Sequence, residues 1–117
     1  MKRLFSATAN SFRGLLDGVR TEPALRDEAA FLAAALALGV VFAPGVLWYV
    51  VMIGAVLVVM AVEFLNTAVE KLADHVTREQ NAHIRRIKDF GSAAVFCSLC
   101  LTGLIWLTAL AVRYGLL

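Results

Sequence analysis

From Val46 to Val62 the chain is one apolar run, and the helical pattern does not stop where the run does. It continues through Glu63, Asn66, Glu70 and Asp74, spaced three, four and four residues apart. At that spacing the four share one face of a helix. A carboxylate inside a membrane helix costs about 2.5–3.5 kcal/mol on insertion scales. Asp74 alone would suit the solvated end of a long helix. Glu63 does not, because Phe64 and Leu65 follow it and the apolar run lies just before it. Acids kept in such a place point to a function.

The rest of the chain agrees with a membrane setting. Hydrophobic residues make up 61% of the 117 residues, and the mean hydropathy is +0.79. A soluble domain of this length could not hide that much apolar surface. The length suits one domain, residues 1–117. A net charge of +2 gives no global nucleic-acid signal. No cleavable signal peptide is expected, since Met1 to Glu28 mixes acids with bases and the first apolar run comes late. Cys97 and Cys100 lie in an apolar run with no nearby histidine or further cysteine, so free thiols are expected rather than a metal or redox site.

In chain order, Phe5, Ala9, Phe12, Leu16 and Val19 form a helical apolar stripe, with Lys2, Arg3, Arg13 and Arg20 off it. That predicts an amphipathic helix over 1–21 lying in the membrane interface, or the same helix packed on a partner. Pro23 opens a second helix, over 23–43. Its apolar part, Ala29 to Ala43, is short for a crossing and needs the residues before it to reach about 20. Ala30, Ala33, Ala34 and Ala35 give it a small face suited to close helix contacts. Pro44-Gly45 makes an uncharged turn. A long helix over 46–76 follows, then a polar loop to Asp89, which would cap a third membrane helix over 90–112. The expected fold is an all-α membrane protein with one interfacial and three transmembrane helices. Five bases precede the first span (Lys2, Arg3, Arg13, Arg20, Arg26) and five lie between the second and third (Lys71, Arg78, Arg85, Arg86, Lys88). The positive-inside rule therefore puts the N-terminus and the polar loop in the cytoplasm.

Acids and bases thus meet on one membrane face. Carboxylate oxygens suit Mg²⁺, which usually takes one or two carboxylates plus substrate phosphates. Lysine and arginine suit a polyphosphate. A partly desolvated carboxylate suits a general base. These are the parts of phosphoryl transfer. The chain has no P-loop motif, so a nucleotide site would be built at helix ends.

Glu63-Phe-Leu-Asn66-Thr-Ala-Val-Glu70-x-x-x-Asp74, followed by Lys88-Asp89-x-Gly91-Ser92-Ala93-Ala94-Val95, resembles the prokaryotic diacylglycerol kinase family. Ser11-Phe12-Arg13-Gly14-Leu15 and Glu22…Arg26-x-Glu28 fit the same family, and the likeness runs from about Arg3 to Trp106. The resemblance implies a homotrimeric helix bundle in the bacterial cytoplasmic (inner) membrane, using Mg-ATP to phosphorylate a lipid alcohol. It implies Glu63 as general base and Glu22 and Glu70 as metal ligands. It places Arg3, Glu22, Asn66, Glu70, Asp74, Glu79, Lys88 and Asp89 toward the nucleotide, and Arg3, Glu28, Glu63 and Ser92 toward the lipid. Two positions depart from the pattern. Asn10 stands where a tyrosine is expected, and Glu79-Gln80-Asn81 where Glu-Tyr-His is common.

Diacylglycerol is the expected substrate, with undecaprenol, the substrate of similar kinases, as the alternative. A small proton-coupled transporter is the competing reading from another class. It would need four spans with its acid in the first. A non-catalytic membrane scaffold leaves the acidic stripe without a role.

Overall fold

The computed structural model describes all residues from Met1 to Leu117, and they form four helices. These are α1 (Lys2–Thr21), α2 (Pro23–Phe42), α3 (Val46–Val76) and α4 (Ala82–Arg113). The molecule is flat, 53 × 41 × 23 Å. The α3–α4 hairpin is its backbone, α2 packs on α3, and α1 touches chiefly α2.

Breaks fall where the backbone chemistry requires them. Pro23 sits at the first position of α2, where a helix has no use for an N–H. The preceding Glu22 is extended, and its N–H closes α1 on Gly18 O at 2.9 Å. The guanidinium of Arg26 reaches back across the break. It donates to the carbonyls of Val19 (3.2 Å) and Arg20 (3.0 Å), filling acceptors that the end of α1 leaves open. Ala43, Pro44 and Gly45 join α2 to α3.

Two helices, α3 and α4, are long and apolar enough to cross a membrane. In α2 the charges at Arg26, Asp27 and Glu28 confine the apolar stretch to 29–42, about 21 Å of helix against a hydrocarbon core of about 30 Å.

The α3–α4 seam is fixed by side chains bonding to main chain as well as by packing. Met52, Val56 and Val59 are fully buried along α3. Thr102 Oγ1 donates to Ala55 O (3.3 Å) and to Ser98 O in its own helix (3.0 Å). Trp106 Nε1 donates to Met52 O at 3.1 Å. On the other side the Tyr49 ring packs against Gly39 of α2, where a Cβ would sit 2.9 Å from it. Its hydroxyl donates to Leu36 O at 3.1 Å. Only glycine admits the ring that close.

Two expectations need adjusting. First, α4 starts at Ala82, so the connection is only Thr77–Asn81 and Asp89 lies inside the helix. The cap is Asn81, whose Oδ1 accepts from Ile84 N at 2.9 Å. The charges of Arg85, Arg86 and Lys88 had suggested a loop; they occupy a solvated helical face instead. His75 lies in the last turn of α3 and His83 in the first turn of α4. Second, of the small residues on α2, Ala35 is packed while Ala30, Ala33 and Ala34 face outward. Cys97 and Cys100 are free and exposed.

Every residue of α1 before Gly18 is exposed, including the apolar stripe, with Phe5 71% and Phe12 62% accessible. Contact with the body begins at Gly18. A Cβ there would meet the Phe64 ring at 2.6 Å and Leu25 at 2.8 Å.

Candidate active site

The acidic stripe of α3 runs outward from the packed body toward water. Glu63 is half-buried beside Phe64. It lies within electrostatic reach of Glu28 on α2 and of Glu70 on its own helix. Glu28 is also half-buried, and its Oε1 is shielded from solvent with no hydrogen-bond partner. Three segments meet here: α1 through Gly18 against Phe64, α2 through Glu28, and α3 through Glu63.

One turn outward, about 5 Å along α3, Asn66 faces α4. Its Nδ2 donates to Glu70 Oε1 at 3.3 Å. Its Oδ1 is buried against the backbone of Gly91 and has no partner. Glu70 is exposed. Its neighbour Lys71 reaches to the α1–α2 break and pairs with Glu22 at 2.5 Å. That pair brings Glu22 beside the Glu70 turn. Both of its members touch water, so solvent screens it and it holds Glu22 without locking it.

Farther out, Asp74 Oδ1 accepts from Lys88 Nζ of α4 at 2.8 Å. This pair floors a cleft of about 870 Å³ between the end of α3 and the start of α4. Arg78, Glu79, Arg85 and Asp89 also line it. The size is within the usual range for small-molecule sites, and its cations suit phosphate.

The fold therefore brings together most of the residues singled out from the sequence, in two groups. Glu22, Glu28, Glu63, Asn66 and Glu70 gather along the α1–α2 break and the middle of α3. Asp74, Glu79, Lys88 and Asp89 gather in the cleft. Ser92 is exposed on α4, one turn beyond Lys88. Arg3 stands apart: it lies near the free end of α1, about 28 Å of helical rise from Glu22. Of the two departing positions, Asn81 serves as the α4 cap, and Asn10 accepts a hydrogen bond from Arg13.

No three acidic, histidine or cysteine side chains converge on a point that a metal ion could fill. Mg²⁺ bound to phosphates does not need such a cage. Two carboxylates with hard oxygen donors, Glu70 steadied by the Asn66 amide and Glu22 held beside it by Lys71, fit that habit.

A family comparison matches residues 9–110 to prokaryotic diacylglycerol kinase. The chain belongs to that family. The matched stretch holds every residue of both groups just described. Individual relatives agree. The diacylglycerol kinase of Haemophilus influenzae is 35% identical over 91% of this chain and 90% of its own length. That of Pseudomonas aeruginosa is 36% identical over 94% and 89%. That of Escherichia coli K12 is 30% identical over 97% and 93%.

Several partners in the site were not foreseen from sequence. Lys71 had been counted only as a base on the cytoplasmic side, yet it is the partner of Glu22. Arg26 was likewise a topological charge, and it clamps the end of α1. Gly91 was part of a motif without a role, and it is the surface on which Asn66 rests. The Lys71–Glu22 pair is a long-range charge contact with no local signature, and the Arg26 clamp is a reach of six and seven residues to main-chain carbonyls. The third shows in sequence only as a glycine inside a helix.

Proposed function

We infer that the chain is a membrane lipid kinase that transfers the γ-phosphoryl group of ATP to the free hydroxyl of diacylglycerol, giving phosphatidic acid and ADP. One observation carries this reading. Within the family-matched stretch, a single face of α3 runs from a half-buried acid, Glu63, to a lysine-lined cleft open to water at Asp74 and Lys88. A kinase with a lipid acceptor and a soluble donor needs both ends on one line.

In this reading Glu63 takes the proton of the lipid hydroxyl at headgroup depth. The hydroxyl oxygen then bonds to the γ-phosphorus, and the bond from that phosphorus to the β,γ-bridging oxygen breaks. Glu28 and Ser92 face the lipid headgroup. Lys88, Asp74, Asp89, Glu79 and Asn66 hold the nucleotide. Glu22 and Glu70 hold Mg²⁺, which when bound offsets the charge of the phosphates. The two acids divide the work by position: Glu63 is half-buried beside Phe64, while Glu70 is open to water.

The protein works in this reading as a homotrimer in the bacterial cytoplasmic membrane, with α2, α3 and α4 as spans and α1 at the interface. The exposed apolar stripe of α1 and the distribution of bases support this placement. The N-terminus and Thr77–Asn81 then lie in the cytoplasm. A reporter fused after Leu117 would read as external and one inserted at Gln80 as cytoplasmic. A cytoplasmic C-terminus would remove one of the three spans.

The purified chain, given γ-labelled ATP and Mg²⁺ in mixed micelles, should label diacylglycerol far faster than undecaprenol. Faster labelling of undecaprenol would make the chain a polyprenol kinase. No labelling of either alcohol would overturn the kinase reading. The relatives from Haemophilus influenzae, Escherichia coli and Pseudomonas aeruginosa are named diacylglycerol kinases, which favours the first outcome.

A further inference from the structure

We propose that Gly91 is a positioning residue: lacking a Cβ, it makes the space in which the Asn66 amide can hold the Glu70 carboxylate. This rests on the reading of Glu70 as a site carboxylate given above.

Glycine within a helix gives up stability that alanine would supply. Several helical glycines of this chain, Gly14, Gly54 and Gly103, have nothing near the place where a Cβ would stand. Gly18 and Gly39 admit apolar or aromatic side chains. Gly91 differs from all of these, because the group it admits is polar and belongs to the site. A Cβ at 91 would overlap Asn66 Oδ1 and stand 3.2 Å from its Cγ, while the Asn66 Cβ, at 4.0 Å, is in ordinary contact. The obstacle is thus the amide alone.

The Asn66 amide has one bond to lose. Its Nδ2 donates to Glu70 Oε1 at 3.3 Å, and its Oδ1 has no partner in the pocket beside Gly91. No hydrogen bond holds Oδ1 there; the available room does. If the room is filled, the amide must rotate about its Cα–Cβ or Cβ–Cγ bond and leave the carboxylate. The helices need not move, because the displaced atoms are the end of a side chain.

The experiment uses the full-length protein in detergent with Gly91→Ala, Asn66→Ala, Glu70→Gln and the Gly91→Ala/Asn66→Ala double variant. Gly91→Ala is expected to melt at or above the wild-type temperature, yet lose about tenfold or more in kcat/KM for Mg-ATP. In the double variant Gly91→Ala should add nothing to the loss caused by Asn66→Ala, since the colliding atoms are gone. A second readout needs no turnover. In ¹⁵N-labelled protein without magnesium or nucleotide, the Asn66 side-chain amide signals, identified by their absence in Asn66→Ala, should move in both Gly91→Ala and Glu70→Gln. This signal decides the matter where Asn66→Ala is too slow to compare. Unmoved amide signals in Gly91→Ala, or losses that multiply in the double variant, overturn the proposal. Coupled losses together with a wild-type magnesium requirement in Glu70→Gln would retain the positioning role and remove the metal role of Glu70.

Discussion

The two halves of α3 are held in place by different means. From Tyr49 to Val59 the helix is gripped by fully buried side chains and by donors that reach its carbonyls from α4, Thr102 at Ala55 and Trp106 at Met52. From Asn66 to Asp74 it is tied to its neighbours by contacts open to water: Lys71 to Glu22 and Lys88 to Asp74. The first kind of contact has no competitor in lipid, since lipid tails offer neither donors nor acceptors. The second kind competes with water and with any phosphate or cation that arrives. One helix thus combines an anchored half with a half whose charges can be exchanged for substrate. Glu63 sits at the join, half-buried and acidic.

The largest test of this division is Glu63→Gln. Removing a general base should lower kcat by about 10²–10⁴, while Mg-ATP binding stays within a few-fold of wild type. Nucleotide affinity and kcat measured on the same purified variant decide it. If kcat survives and affinity falls, Glu63 belongs with the exchangeable half as a ligand.

Next in size is Lys88→Met. It should raise the KM for ATP roughly tenfold or more, the loss expected when a charge-assisted contact to phosphate is removed. Higher ionic strength should reduce the difference from wild type. An unchanged KM would mean that the cleft at Asp74 and Lys88 is not where the nucleotide sits.

Glu70→Gln should raise the Mg²⁺ concentration needed for half-maximal rate. The check is a magnesium titration at saturating ATP, run beside Glu22→Gln. Wild-type metal dependence in both variants would remove these two acids as metal ligands.

The smallest effect is expected in the anchored half. Thr102→Val deletes an interhelical donor, and such bonds in membranes average about 0.6 kcal/mol. Stability by denaturant titration in detergent should fall by about that much, with kcat unchanged. A large loss of activity would mean that the two halves are not separable.

The helices were legible in the sequence where backbone chemistry marks them. Pro23 and Pro44-Gly45 delimit α2, and the 3-4-4 spacing of Glu63, Asn66, Glu70 and Asp74 carries α3 past the end of its apolar run. The start of α4 was not, because Arg85, Arg86 and Lys88 made a solvated helix look like a loop. Asn81 at the cap position was the local sign to follow. The site was legible as a set of residues sharing a face and matching a motif, and its internal pairing was not. That Lys71 meets Glu22, or that Asn66 rests on Gly91, depends on how separate helices approach each other.

The three residues between α2 and α3 impose a constraint of their own. Measured along each helix from that turn, Glu28 lies about 21 Å up α2 and Glu63 about 26 Å up α3. Tyr49, wedged on Gly39, ties the bases of the two helices together. So short a tether leaves no slack for one helix to slide past the other. The pair of acids is then set like two marks on a folded rule, whose spacing is fixed at the crease. An extra residue inserted within 47–62 would rotate Glu63 by about 100° around its helix and raise it 1.5 Å, taking it off the line to Glu28. The same insertion in Thr77–Asn81 would leave that alignment untouched.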